Sequence, residues 1–322
     1  MDIVLTGSVA FDYLMTFPGY FRDHILPDHL EKISLSFLVD SMERRRGGIA
    51  PNIAYTLALL GEQPRLWATV GEDFEEYRSW LESKGVDTRG ARVIPGISTA
   101  SFFVNTDRSN AQIASFYPGA MAYAPQHSLH EMEGSPDLVV ISPNDPKAMN
   151  CYVEECQELG YATIYDPSQQ IVRLSAEDLR RGIVGAHALF VNEYEFALIQ
   201  KMTGLALAEI LTVTRFMVIT DGEHGATIYS GTDAYHIPVV PPAQIVDPTG
   251  VGDAFRGGFL TGYGHSLDLE TCGRMGALAA TYCLEQCGTQ SHNFTPAEFV
   301  ARYRRNFDDM GKLDVLIESG KG

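Results

Sequence analysis

The sequence predicts an α/β protein: a doubly wound, mainly parallel sheet flanked by helices, with a small inserted β lid. Three observations predict it. Apolar runs bounded by Gly, Pro and Asp alternate with helix-period segments, as in strand–helix units that cover a sheet on both faces. The runs are short and continuously apolar, which suits strands buried on both sides. Two segments break the alternation and read as extra strands.

The first strand is expected at residues 3–6. Ile53, Ala54, Leu57 and Leu60 then mark a helix face that ends at Gly61. A second unit follows, with a strand at 66–70 and Phe74, Tyr77, Trp80 and Leu81 on a helix before Gly85. Later strands are expected at 138–141, 162–165, 188–191 and 216–220, each run too short to be a helix. The exceptions are 11–40 and 99–117, the latter with a turn at Asp107-Arg108-Ser109-Asn110. Inserted strands of this kind can form a sheet over the strand ends, where ligands of such folds bind. The reading is therefore one domain over residues 1–322 with lid strands inserted at about 11–40 and 99–117. A helical tail is expected after Thr295-Pro296.

Composition removes several classes of function. Twenty-four basic against 41 acidic residues leave a net charge of −17, which repels a phosphodiester backbone or an anionic membrane. No apolar stretch is long enough to span a bilayer, and the chain starts on a strand rather than a signal peptide, so a soluble cytoplasmic protein is expected. The five cysteines lack metal-site or secreted-domain spacing and read as reduced thiols. Cys283 and Cys287, four apart, are expected to pack as small apolar side chains on one helix. The −17 balance does not exclude a small anion, because converging backbone N–H groups and a metal ion can override the global field.

The most informative stretch is Asp247-Pro248-Thr249-Gly250-Val251-Gly252-Asp253-Ala254-Phe255, a loop running into a helix. Gly250 and Gly252 allow successive N–H groups to converge on one anion at the positive end of that helix. The two glycines alone fit an ordinary helix start equally well. Asp253 adds weight, because a carboxylate beside an anion site opposes phosphate unless it has a task, and general base is the obvious one. Its alternative role is a first-turn acid on the helix dipole.

This stretch resembles the DTTGAGDAF signature of the ribokinase-type (PfkB) sugar and nucleoside kinases. Three more segments resemble that family in the same chain order: GGIAPNIAYTLALLG at 47–61, Asn192-Glu193-Tyr194-Glu195, and Thr220-Asp221-Gly222-Glu223-His224-Gly225. The resemblance covers nearly the whole chain and implies a ribokinase-like fold. It implies that Asp253 activates the acceptor hydroxyl while the N–H groups of Gly250, Val251 and Gly252 hold the transferring phosphoryl. Asn192 and Glu195 would organise Mg²⁺ through water, with a helix N-cap as their alternative reading. Thr220, Gly222 and Gly225 would lie along ATP, or be simply a strand ending in a turn. Asp12, Gly48 and Asn52 match acceptor-binding positions. Ser8, Ser36 and Arg173 are further substrate-side candidates, and a monovalent cation such as K⁺ near Asp247 and the Gly288-Thr289 loop is a family feature. The basic run Arg44-Arg45-Arg46 either draws phosphate towards the cleft or is solvated surface.

The sequence departs from the family pattern in three places. Pro248 and Val251 replace a common threonine and alanine, changes that leave the glycine pair intact. Ile49 stands where ribose kinases carry a lysine, which makes the chain resemble bacterial adenosine kinases more closely. Phe102 and Phe116 fit that branch if they stack on a purine; otherwise they form the lid's own core. The resemblance thus implies an ATP-dependent kinase for the 5′-hydroxyl of adenosine or a related nucleoside; a homodimer is the candidate assembly. The alternatives are a fructose or ribose kinase and a catalytically silent nucleoside-binding protein. A nicotinamide dehydrogenase is excluded, because the segment from Gly7 to Asp12 lacks the second and third glycines of GxGxxG.

Overall fold

The computed structural model describes residues 1–26, 31–32 and 34–318; residues 27–30 and 33 of the expected insertion at 11–40 lie outside the described residues. The first half of the chain runs β1 (Ile3–Thr6), β2 (Ala10–Thr16), β3 (Ser41–Gly47), α1 (Ile49–Leu59), β4 (Arg65–Val70), α2 (Glu75–Ser83), β5 (Ala91–Val93), β6 (Ala100–Thr106), β7 (Gln112–Tyr117), β8 (Leu138–Ile141) and α3 (Pro146–Leu159). It continues through β9 (Thr163–Tyr165), α4 (Ala176–Gly185), β10 (Ala188–Asn192), α5 (Glu193–Thr203), α6 (Leu207–Val213), β11 (Phe216–Thr220), β12 (Ala226–Ser230) and β13 (Asp233–Ile237). Four helices finish it: α7 (Val251–Gly264), α8 (Leu269–Leu284), α9 (Pro296–Asn306) and α10 (Asp314–Glu318).

Among the described residues the strands form two sheets. The larger has the order β13-β12-β11-β10-β9-β8-β1-β4-β5. All its pairs are parallel except β11–β12 and β12–β13. Strand alternation sends side chains into two cores, as a sheet covered on both faces requires. Ile3 and Leu5 of β1 enter one core with Ile53 and Leu57 of α1 and Phe255 and Phe259 of α7. Val4 enters the other, with Met149 and Tyr152 of α3 and Leu179 of α4.

Local signals fix where several helices begin. Asp145 caps α3 by accepting from Lys147 N at 2.9 Å, and Ser175 with Asp178 and Thr295 with Glu298 form reciprocal capping boxes on α4 and α9. Each such cap stabilises by about 1 kcal/mol.

The second sheet, β3-β2-β6-β7, takes β2, β6 and β7 from the two segments that break the alternation. Its strand β3 lies just beyond the 11–40 segment and carries Arg44-Arg45-Arg46. Its sequence shows no apolar alternation because most of its side chains are not buried; pairing with β2 from Ala10↔Gly47 to Thr16↔Ser41 holds it. The β12–β13 hairpin at the sheet edge was likewise not expected. One expectation is corrected: α8 ends at Leu284, so Cys283 is buried on the helix while Cys287 is exposed in the following loop. Among the described residues no single helix is long and apolar enough to cross a membrane.

Candidate active site

After β1 the chain turns to β4 on one side and later to β8 on the other, so the crevice at the carboxyl end of β1 is the topological switch point. A cavity of about 510 Å³ opens there, between the strand ends, the second sheet and the start of α7. Ser8 lies beyond β1, Asn192 ends β10 and Thr220 ends β11, and all three line it. From β1 to β11 is four strand spacings, or roughly 19 Å, room for two ligands end to end.

Gly250 starts α7 with φ 77° and ψ 1°, a left-handed conformation. A Cβ there would lie 2.7 Å from Thr289 Cγ2, so packing as well as dihedral demands glycine. The first helical hydrogen bond is Ala254 N to Gly250 O at 2.9 Å. The N–H groups of Gly252 and Asp253 therefore precede the helical ladder and are available to an anion. Upstream, Asp247 Oδ1 accepts from Thr249 N at 2.9 Å and its Oδ2 from Gly288 N at 3.0 Å, which ties the loop to its neighbour.

Asp253 stands in the first turn, beside the glycines and facing the cavity. Asn52 Nδ2 donates to its Oδ2 at 2.8 Å, and Gln290 Nε2 donates to Asn52 Oδ1 at 2.9 Å. Gln290 also donates to the Tyr77 hydroxyl, which donates to Gly47 O at 3.0 Å. This chain orients the carboxylate from α1, α2 and the loop after α8. Burial raises Asp253 to about pKa 7, against the lowering effects of Arg256 and the Asn52 hydrogen bond. A group poised there is an effective general base near neutrality.

The other end of the cavity is the inner face of the second sheet. Ala10, Asp12 and Leu14 alternate on β2, and Asp12 pairs with Phe102, which pairs with Phe116. Phe102 and Phe116 therefore face the cavity; the opposite face carries Tyr13 stacked on Phe103 at 4.7 Å. Gly48 lets α1 begin against this end, since a Cβ would lie 2.4 Å from Ser8 O, and Ile49 N donates to Ser8 Oγ at 3.4 Å. Burial raises Asp12 to about pKa 6, against the field of Arg45.

The pfkB family carbohydrate kinase model matches residues 8–296. The chain belongs to the pfkB family. A nucleoside kinase of Methanothermobacter thermautotrophicus is 32% identical over 307 residues, covering 94% of this chain and 95% of that protein. The structure of Burkholderia thailandensis nucleoside kinase in complex with inosine superposes with TM-score 0.84 at 38% identity, covering 95% and 98% of the two chains. The Methanocaldococcus jannaschii nucleoside kinase, an archaeal member of the ribokinase family, gives TM-score 0.86 at 26% identity over 95% and 99%. This pfkB-family protein is accordingly a phosphotransferase with an alcohol acceptor, and its fold is ribokinase-like.

Most residues expected from sequence meet in this pfkB cavity: Ser8, Asp12, Gly48, Asn52, Phe102, Phe116, Asn192, Glu195, Thr220, Gly250, Gly252 and Asp253 all line it. Val251 lies between two of them, and Gly222 and Gly225 form the turn beyond Thr220. Ser36 and Arg173 stand outside. Ser36 is exposed in an irregular stretch before β3. Arg173 is exposed at the far end of the short 3₁₀ turn Ser168–Arg173, whose first residues, Ser168 and Gln169, face the cavity instead.

Asn192 and Glu195 form a capping box on α5: Asn192 Oδ1 accepts from Glu195 N and Glu195 Oε2 from Asn192 N, both at 2.8 Å. Ser168 Oγ donates to Glu195 Oε1 at 3.1 Å. The capping role is therefore present, and both side chains still line the cavity. The sequence pattern did not reveal Gln290, Asp166 or Arg256, and it gave Tyr77 only as part of a helix face. The available signal was Arg256, a basic residue one turn along the helix from the glycine pair.

Proposed function

We propose that this kinase transfers the γ-phosphoryl group of ATP to the 5′-hydroxyl of a nucleoside, with adenosine as its leading acceptor. The observation that carries the nucleoside reading is the Phe102–Phe116 pair, which places two aromatic side chains on the cavity that holds Asp253. The nucleoside kinases among its relatives support the same choice. In this reading Asp253 takes the proton of the attacking hydroxyl, and the N–H groups at the start of α7 receive charge from the transferring phosphoryl. Asp12 accepts hydrogen bonds from ribose hydroxyls, with Ser8 beside it, and Thr220 borders ATP. The second sheet acts as a lid that excludes water.

Mg²⁺ typically binds through one or two carboxylates, phosphates and several waters, and when bound it neutralises phosphate charge. Among the described residues no three His, Cys, Asp or Glu side chains gather into a dedicated cage. Glu195 and Asn192 fit the lighter requirement and would hold the ion's waters. A monovalent cation at Asp247 has less support, because Arg45 Nη1 already stands 3.7 Å from Asp247 Oδ2.

Competition at equal concentration tests the acceptor. The expected kcat/KM for adenosine is at least ~10²-fold above that for ribose or fructose, because a whole base adds binding energy. Alanine at Phe102 or Phe116 is expected to weaken adenosine binding by roughly 1–3 kcal/mol per stacking ring and leave ATP binding unchanged. A preference for either free sugar would overturn the nucleoside reading and leave the kinase chemistry standing.

The two raised carboxyls give a pH signature. Asp253 works as the carboxylate, so kcat/KM should rise with pH through about 7 and fall about tenfold per pH unit below it. Asp12 accepts hydrogen bonds when ionised, so acceptor affinity should weaken as pH falls through about 6. A kcat/KM profile flat from pH 5.5 to 8 would contradict the first assignment, and acceptor affinity constant over that range the second.

A further inference from the structure

Beneath the glycine loop lies a buried ion pair with no part in the chemistry described so far. Arg256 is 9% exposed and Asp166, just beyond β9, is fully buried. Arg256 Nη2 donates to Asp166 Oδ1 at 2.6 Å, and its Nε faces the other carboxylate oxygen. Its Nη1 donates to Gly252 O at 3.0 Å. The guanidinium thus joins the end of β9 to the first turn of α7, and it lines the cavity beside Gly252 and Asp253. A buried ion pair seldom stabilises more than apolar side chains of the same volume. Its position under the phosphoryl loop supplies a different reason for it.

We propose that Arg256 is a positioning residue for phosphoryl transfer: anchored by Asp166, it pins the Gly252 carbonyl so the loop amides keep their aim, and it sets the charge around the Asp253 carboxylate. This rests on Asp253 being the general base. The groups facing that carboxylate come from several elements: Arg256 on α7, Asp166 after β9 and Asn52 on α1 act on it, and Tyr77 on α2 and Cys283 on α8 feel its charge. Glu195 on α5 acts through Arg256 and Asp166. Of the ionised groups, Arg256 favours the carboxylate and Asp166 opposes it. The pair therefore acts on the base with two opposite signs.

The test is the pH profile of kcat/KM for adenosine at saturating Mg-ATP, in variants whose folding is confirmed by thermal melting. Arg256→Gln should move the rising limb up by about one pH unit or more, the size expected when an adjacent opposite charge is lost. Asp166→Asn should move it down. The double variant leaves neither charge unpaired, so it covers the case in which a single variant does not fold, and its limb should move up by less than that of Arg256→Gln. Arg256→Lys keeps the charge but not the two-sided fork, so it should hold the wild-type limb and lose turnover. Limbs that stay in place in both the double variant and Arg256→Gln, or shifts of one sign in both single variants, would overturn the proposal. Asp253→Asn, assayed at every pH, separates the two layers. Activity in that variant removes the base reading itself, whereas its inactivity beside unmoved Arg256 profiles removes only this inference.

Discussion

Asp253→Asn is expected to lower kcat by about 10²–10⁴, the contribution of a positioned general base, while ATP binding measured calorimetrically stays nearly unchanged. The amide keeps the size and most of the polarity of the carboxylate, so the first turn of α7 has no reason to unfold. What it loses is the capacity to accept a proton. It also meets an altered partner, because Asn52 Nδ2 donates to Asp253 Oδ2 at 2.8 Å and is itself held by Gln290. An asparagine can still accept that bond through its carbonyl oxygen, which keeps the chain from Gln290 in place and confines the effect to chemistry. The pH dependence should vanish with the activity, since the group that titrates near pH 7 is gone. Wild-type turnover in this variant would leave the carboxylate as no more than a first-turn acid.

Much of this site could be read from sequence because its residues lie in short, local patterns. The glycine pair and Asp253 sit within four residues, and their helix start follows from local backbone rules. The strands at 3–6, 138–141 and 216–220 were legible to the residue, because burial on both faces leaves an uninterrupted apolar run. What the sequence hid was assembled across distance. Gln290 reaches Asn52 and Tyr77 reaches Gln290 from separate elements, and no spacing rule joins residues 52, 77 and 290. Asp166 meets Arg256 across 90 residues for the same reason. Strand β3 was hidden differently, because an exposed strand held by its neighbour's backbone needs no apolar pattern. Ser36 and Arg173 rested on short local likeness alone, and neither is among the residues that line the cavity.

Gly252→Val is expected to cost on the order of 10²–10³ in kcat, the scale of losing a preorganised donor at a transferring group, with little change in melting temperature. The reasoning turns on a contrast with Gly250. Gly250 has φ 77°, and a Cβ there would meet Thr289 at 2.7–3.2 Å, so even alanine strains the fold. A left-handed conformation alone costs a side-chain-bearing residue about 1–2 kcal/mol. Gly252 is helical, and its added Cβ would meet only Arg256 Nη1, at 3.0 Å, the tip of a long side chain whose other nitrogens are held by Asp166. The folded state can accept valine there with a small displacement of Nη1 away from Gly252, which leaves the Nη2 and Nε side of the guanidinium on Asp166. The phosphoryl site cannot, because the two methyl groups occupy space beside the free N–H groups of the first turn and dislodge the contact that pins Gly252 O. Melting and turnover should consequently separate: Gly250→Ala lowers both, Gly252→Val lowers turnover alone. Retained turnover in Gly252→Val would show that the glycine loop only starts a helix, and the phosphoryl group would then have to be held elsewhere in the cavity.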